Sequence, residues 1–301
     1  MSRTSLLNLT AALLAVAASV GLAGRWSRGG GAAAAGEGER ATSLVDATGV
    51  EVRLREFRRI VSASTVADRL LLELCPRDRV AAVTSRSLEG PDGYRYAGMQ
   101  TIGTLDDTEA ILALRPDLVI THNVAARRRV ERLREAELTV FDLGALEGRR
   151  TLTEDIRQLG ALCGAPERGE RFAASFDRRM DALSGGAPSG RALYLSVYAD
   201  RFYGGARGTS YHDVLVAAGL EDAAAHLDGW PQYAAEQLLT LDPDLLVTRE
   251  GMRGPICEHP ALTHLRACPD GVIELDGDLL DDPGVGMLDA AEQLRAALQR
   301  R

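Results

Sequence analysis

The sequence predicts an α/β fold: two similar lobes, each on a mostly parallel sheet, joined by a helix, with a cleft between them. Three observations predict it. Residues 109–121, EAILALRPDLVIT, return at 236–248 as EQLLTLDPDLLVT, with seven of thirteen positions identical. Each copy reads as a short amphipathic helix, a proline that ends it, an Asp in the turn, and an apolar run for a buried strand. A near-continuous apolar strand after a helix marks a parallel sheet covered on both faces. Between the copies, Phe172, Phe176, Met180 and Leu183 fall at steps of four, four and three, one apolar face of a helix.

The elements follow in order. In lobe one, 59–62 and 79–84 are short apolar strands around a helix pattern at 66–74. The first repeat copy comes next, then a charged helix at 126–136 and a strand at 138–141. Residues 151–183 read as the inter-lobe helix. Lobe two opens with a strand at 192–197 and continues through a helix near 210–219 and the second repeat copy. A strand at 272–275 and a last helix at about 286–299 close it. The boundaries predicted are 1–23 for a signal peptide, 24–42 for a flexible tether, 43–150 for the first lobe, 151–186 for the helical backbone and 187–301 for the second lobe.

Composition removes several functions. All 35 basic residues are arginine. Schiff-base enzymes, P-loop NTPases and protein kinases need a lysine and are excluded. The net charge of −8 speaks against a general nucleic-acid binder. No G-x-S-x-G elbow and no H-E-x-x-H is present. Asp106-Asp107 and Asp281-Asp282 read as turn formers, not as catalysts. No enzymatic activity is expected.

The start of the chain reads as an address. Residues 4–24 are uncharged, Arg3 precedes them, and Gly21-Leu22-Ala23 suits signal peptidase. Export to the periplasm or another extracytoplasmic space is expected; an uncleaved membrane anchor is the alternative. Four cysteines, Cys75, Cys163, Cys257 and Cys268, lack any C-x-x-C spacing. If they pair, Cys257 and Cys268 are the better candidates, being close in sequence; four buried free thiols is the other reading.

Several segments then resemble one family. DATGVEVRL and RRIVSAS open the body, and IGTLDDTEAILALRPDLVI follows in lobe one. GTSYHDVLVAAGL, GWPQYAAEQLLTLDPDLLV and GVIELDGDLL follow in lobe two. In residues, order and spacing, residues 44–299 resemble the helical-backbone (class III) solute-binding proteins of ABC importers for ferric siderophores, haem and cobalamin. The resemblance implies two Rossmann-like lobes bridged by one long α-helix, ligand held in the cleft, and little hinge motion. It implies an ABC permease and its ATPase as partners and a metal chelate as ligand, captured by a monomer that meets the membrane only through the permease or an uncleaved anchor. No resident cofactor is expected; the ligand itself would carry iron or cobalt. An anchored sensor that keeps the fold but signals to a partner protein is the alternative. Two features depart from the family. Leu22-Ala23-Gly24 is followed by Arg25 where a lipoprotein has cysteine, so no lipid anchor is expected there. Glu250 fits the acidic permease-docking position of lobe two, but lobe one offers Arg127-Arg128-Arg129, which also reads as a solvated helix face.

Ligands in such folds sit at the carboxyl ends of the strands. The loops there nominate Ser64, Thr65, Tyr94, Tyr96, Thr104, His122 and Asn123 in lobe one. In lobe two they nominate Tyr198, Phe202, Tyr203, Arg207, Trp230, Tyr233 and Arg249. Aromatic residues are only 5% of the chain, and half of them fall in these loops. Flat rings suit a macrocycle; the core of each lobe is their other use. Arg207, beside glycines, could grip an anionic donor, or simply sit in a tight turn. His122, next to a strand end, could ligate a metal, or hydrogen-bond a neighbouring loop. A bare metal ion is not expected as ligand, because the loops offer His122 and Glu250 and no third strong donor. His259 and His264, near Cys257 and Glu258, are five apart with Pro260 between, the wrong spacing for one helix face.

Overall fold

The repeated Asp does the same work in both lobes. Asp117 accepts the backbone amides of Arg58 and Arg59 at 2.7 and 2.9 Å. Asp244 accepts the amide of Arg191 at 3.0 Å. Each carboxylate pins the start of the neighbouring strand, which fixes the register of the pair. This is seen in the computed structural model, which describes residues 42–90, 92–103, 105–122, 127–185, 188–268 and 270–301.

A hairpin of β1 (Ser43–Val45) and β2 (Glu51–Arg53) opens the first lobe. Its sheet holds β3 (Ile60–Ser62), β4 (Val80–Thr84), β5 (Gln100–Ile102), β6 (Leu118–Thr121) and β7 (Val140–Asp142). The spatial order is β5-β4-β3-β6-β7 and every pair is parallel. Helices α1 (Thr65–Leu74), α2 (Arg86–Glu89), α3 (Thr108–Ala113) and α4 (Arg127–Glu135) connect the strands. The arginine run of α4 is exposed, with Arg129 on Asp106 at 2.9 Å and Arg127 on Glu131.

The bridge is two helices rather than one. The chain breaks at Gly164, with φ of 74°, between α5 (Arg149–Leu162) and α6 (Pro166–Leu183). Pro166 at the first turn of α6 starts the second helix cleanly. The helices run antiparallel: Arg157 pairs with Glu170, and Arg149 with Asp177 and Asp181. Phe176 and Met180 of the predicted apolar face are buried, and Phe172 and Leu183 pack against the same core. The near end of α5 touches lobe two, where the Arg149 amide donates to Asp213 at 2.5 Å. Its far end is tied to lobe one by a disulfide from Cys163 to Cys75.

Gly160 and Gly169 let the helices touch. A Cβ on Gly160 would stand 2.7 Å from the Gly169 Cα and 3.1 Å from its nitrogen. Both are backbone atoms and neither can rotate away. Gly160→Ala is therefore expected to destabilise by about 1–3 kcal/mol through overpacking. That sign opposes the ~1 kcal/mol by which alanine favours an isolated helix. Chemical denaturation of the two proteins measures it.

Lobe two repeats the plan with additions. β8 (Arg191–Tyr198), β12 (Leu245–Arg249) and β13 (Val272–Leu275) are parallel neighbours, as β3, β6 and β7 are. On its other side β8 pairs with β10 (Glu221–Asp222) and turns into the antiparallel β9 (Arg201–Gly204), itself paired with β11 (Gln232–Tyr233). The β8–β9 turn is Ala199-Asp200, both at positive φ, the geometry that suits the strands' twist. Helices α7 (Ser210–Ala217), α8 (Ala235–Leu241), α9 (Arg253–Cys257), α10 (Gly277–Leu280) and α11 (Gly286–Gln299) complete the described residues.

One apolar core runs from Phe57 and Leu71 of lobe one through Ile156 and Phe176 of the helix pair to Tyr211 and Leu294 of lobe two. The outer face of each sheet has its own smaller core. The core is thus continuous through the bridge. Cys257 pairs with Cys268, so both pairs are disulfides and no described cysteine is free. The spacing argument finds the second pair; the first joins residues 88 apart, which no spacing signals. No described helix is long and apolar enough to cross a membrane. The predicted signal and tether lie outside the described residues.

Candidate functional site

The loops after β3 and β4 in lobe one face those after β12 and β13 in lobe two across a cleft of about 580 Å³. These are carboxyl ends of parallel strands, where the fold leaves room for a ligand. Thr65, Arg69, Arg86, Ser87 and Tyr96 contribute to one wall. Arg249, Asp276, Asp278, Asp281 and Asp282 contribute to the other.

Arg69 spans the two walls. From α1 it reaches Asp282 of lobe two at 3.1 Å and Asp289 at 3.6 Å, and Asp92 of its own lobe at 3.5 Å. Asp282 is a turn former as the sequence reading has it, accepting the amides of Gly284 and Gly286 at 2.7 and 3.1 Å. Burial nevertheless pushes its carboxyl up, against the pull of those amides and of Arg69. On lobe two, Arg249 pairs with Asp281 at 3.2 Å. Asp281 also accepts from the Tyr211 hydroxyl at 2.7 Å.

Asp68, one residue before Arg69, is fully buried behind the lobe-one wall. It accepts the Thr84 amide at 2.9 Å, the Thr84 hydroxyl at 2.5 Å and the Ser87 hydroxyl at 2.7 Å. Burial outweighs these bonds and pushes its carboxyl up to about 6. A folded-state value above the unfolded 3.8 favours folding below about pH 4, and that contribution is lost as pH rises through about 6. Asp68→Asn keeps an acceptor for Thr84 and Ser87 without a buried charge. It is expected to raise stability at pH 7.5 by roughly 2–3 kcal/mol and to have little effect at pH 4. Unfolding at the two pH values checks this.

His122 is not open to a metal. Its Nδ1 is 2.7 Å from Ser64 Oγ and its Nε2 is 3.0 Å from Asp155 Oδ2, and its side chain is 3% exposed. With both ring nitrogens taken, the axial-ligand reading fails and the hydrogen-bonding alternative holds. Ser64 is itself committed: its Oγ caps α1 by accepting the Ala67 amide at 3.3 Å. The row joins the end of β3, the end of β6 and the middle of α5. It locks lobe one onto the bridge. Burial pushes Asp155 up, offset in part by the bond to His122.

In lobe two, Tyr194 and Tyr211 stack with centroids 3.5 Å apart, and Trp230 stands edge-on to Tyr211 at 5.3 Å. A Cβ on Gly205 would collide with the Tyr211 ring at 2.4 Å, so glycine there lets the ring seat. Burial, with Tyr194 and Asp281 beside it, holds the Tyr211 phenol far above its ordinary value, so it remains a donor. Trp230 is 59% exposed, supported from below by Tyr211, whose hydroxyl sits on the cleft carboxylate Asp281.

Of the nominated residues, the structure brings Thr65, Tyr96 and Arg249 to one cleft. Tyr94 and Tyr198 are exposed, Tyr198 beside the hairpin turn. Phe202 and Tyr233 belong to the outer core of lobe two instead of the cleft. Tyr203 is half-buried on the same strand. Arg207 is exposed and held in a fork by Asp228 at 2.8 and 3.2 Å. Glu250 is exposed just past β12. Thr104 and Asn123 lie outside the described residues. His259 packs edge-on against Phe202, and no described cluster of His, Cys, Asp or Glu could hold a metal ion. Sequence reasoning missed Arg69, Tyr211 and the aspartates at 276–282. The available signal was the family segment GTSYHDV, which contains Tyr211, and the strand end at Leu275, just before Asp276.

The chain is 22% identical over 274 residues to an uncharacterized ABC transporter substrate-binding lipoprotein of Bacillus subtilis, covering 85% of each chain. It is 27% identical over 215 residues to a cobalamin-binding protein of Halobacterium salinarum, covering 67% of this chain and 57% of that protein. Among solved structures it superposes on a periplasmic haem-binding protein of Roseiflexus sp. RS-1 with a TM-score of 0.67 at 24% identity, covering 81% of this chain and 98% of the other. The periplasmic vitamin B12 binding protein of Vibrio cholerae gives 0.64 at 23%, covering 81% and 97%. These likenesses agree with the two lobes, the helical bridge and the cleft between them. The sequence pattern of the periplasmic binding protein family matches residues 60–278, from β3 of lobe one into α10 of lobe two, and the chain belongs to that family.

Proposed function

We propose that this chain is the solute-binding component of an ABC importer, which captures a metal chelate in the inter-lobe cleft and delivers it to a membrane permease and its ATPase. The observation that carries the reading is the cleft itself: open, lined from both lobes, and set at the strand ends of a binding-protein fold. The relatives named for their ligands bind cobalamin and haem, which supports a chelate as cargo. The continuous core through α5 and α6 supports binding with small lobe movement. The two disulfides support an oxidising compartment, hence export. Metal enters as part of the cargo, not as a resident cofactor. The relatives give the anchored-sensor reading no support.

The test is the absorbance spectrum of the protein purified from its native host. A Soret, corrin or ferric charge-transfer band at one chromophore per chain is the expected result. A colourless protein that also takes up no chelate on incubation contradicts the reading.

A further inference from the structure

The cleft walls speak to the charge and the coordination of the ligand. Six aspartates line the cleft against three arginines. Two of the arginines are already matched, Arg69 by Asp282 and Asp289, and Arg249 by Asp281. Asp276 and Asp278 are exposed on the turn that starts α10 and form no ion pair with a described residue. A ligand seated there replaces water against a wall whose unmatched charge is mostly carboxylate. An anionic ligand meets like charge as the cleft dries, and a cationic one meets its complement.

Among the described residues, the walls also lack a side chain to complete a metal's ligand set. Haem iron is held by His, Cys, Met or Tyr. The described lining has no His, Cys or Met. Its single tyrosine, Tyr96, is 3% exposed. His122, behind Ser64, has both nitrogens engaged.

From these two observations, and resting on the chelate-receptor reading above, we infer that the site takes a chelate whose metal is already fully coordinated and whose rim is neutral or cationic. Corrinoids and ferric trihydroxamates have this chemistry. Carboxylate-edged porphyrins and anionic ferric catecholates do not.

Calorimetric titration of the mature protein with aquocobalamin, ferrioxamine B, haemin and ferric enterobactin tests it. At least one of the first two is expected to bind about tenfold or more tighter than either of the last two, and which one it is separates the two sources. Asp276→Asn with Asp278→Asn is expected to weaken that cationic chelate by roughly three- to tenfold, as for two exposed charge contacts. Asp276 also caps α10, so Asp278→Asn alone serves as the variant that leaves the cap in place. Tighter binding of haemin or ferric enterobactin, or no effect of either variant, overturns this inference and leaves the receptor reading standing. Binding of none of the four overturns this inference; only a native protein that is also colourless overturns the receptor reading with it.

Discussion

Replacing Cys75 and Cys163 together by serine is expected to cost about 4–5 kcal/mol of stability. The bridge closes a loop 88 residues long, so its removal returns much conformational freedom to the unfolded chain. It also sits where α1 of lobe one meets the turn between α5 and α6, with both sulfurs inside the continuous core. Cys257 and Cys268 close a loop of only 11 and hold a surface turn near α9. Their double serine variant is expected to lose about 2.5–3 kcal/mol. Denaturation midpoints of the two variants, read beside the parent, make the comparison. Equal losses would contradict the assignment of the long bridge as the clamp between lobe one and the helix pair.

Trp230 is not among the residues that line the cleft but stands over Tyr211, whose hydroxyl holds the cleft's Asp281. A chelate large enough to extend past the cleft lining stacks there, and Trp230→Ala is expected to weaken its binding by about ten- to a hundredfold, the equivalent of burying one large ring face. The same change is expected to move the unfolding midpoint little. A core tryptophan would cost about 3–5 kcal/mol on truncation, but Trp230 is more than half exposed and meets Tyr211 only edge-on. Pro231 follows it and stiffens the loop, which lowers the entropy lost when a ligand stacks there. Trp26 is the chain's one other tryptophan, so a Trp26→Phe background makes the fluorescence of Trp230 a direct reporter. A large drop in stability with unchanged affinity would place Trp230 in the core instead.

The sequence carried the fold well where a signal repeats. The copy at 109–121 and 236–248 became a helix and an interior strand in each lobe, and its Asp took the same bond twice. The bridge was legible as an apolar face, but its first half was not separated from its second. Gly164 and Pro166 break the helix, and only the close approach at Gly160 and Gly169 shows why both halves are needed. The short antiparallel strands β9 and β11 escaped notice because Arg201–Gly204 and Gln232–Tyr233 are too short to show alternation.

The site was half legible, and the reason is physical. Strand-end loops can be read from sequence, and of the residues nominated there Thr65, Tyr96 and Arg249 line the cleft. Which way a loop side chain turns depends on its partners across the fold. His122 turned inward because Asp155, 33 residues on, waits on α5. Phe202 turned inward because alternation along β9 puts it on the face of the outer core. Arg69 was invisible as a cleft residue because its partner, Asp282, lies 213 residues away.

The claim that the cleft between the lobes is where ligand binds is tested most directly by filling it. Thr65 is exposed on the lobe-one wall, past the Ser64 cap, and a tryptophan there would occupy the space without entering the core. Calorimetric titration with the chelate identified from the native protein is the measurement. One molecule per parent chain, with affinity reduced at least about a hundredfold in Thr65→Trp and an unchanged unfolding midpoint, is the predicted result. Equal affinity and stoichiometry in the two proteins would contradict it.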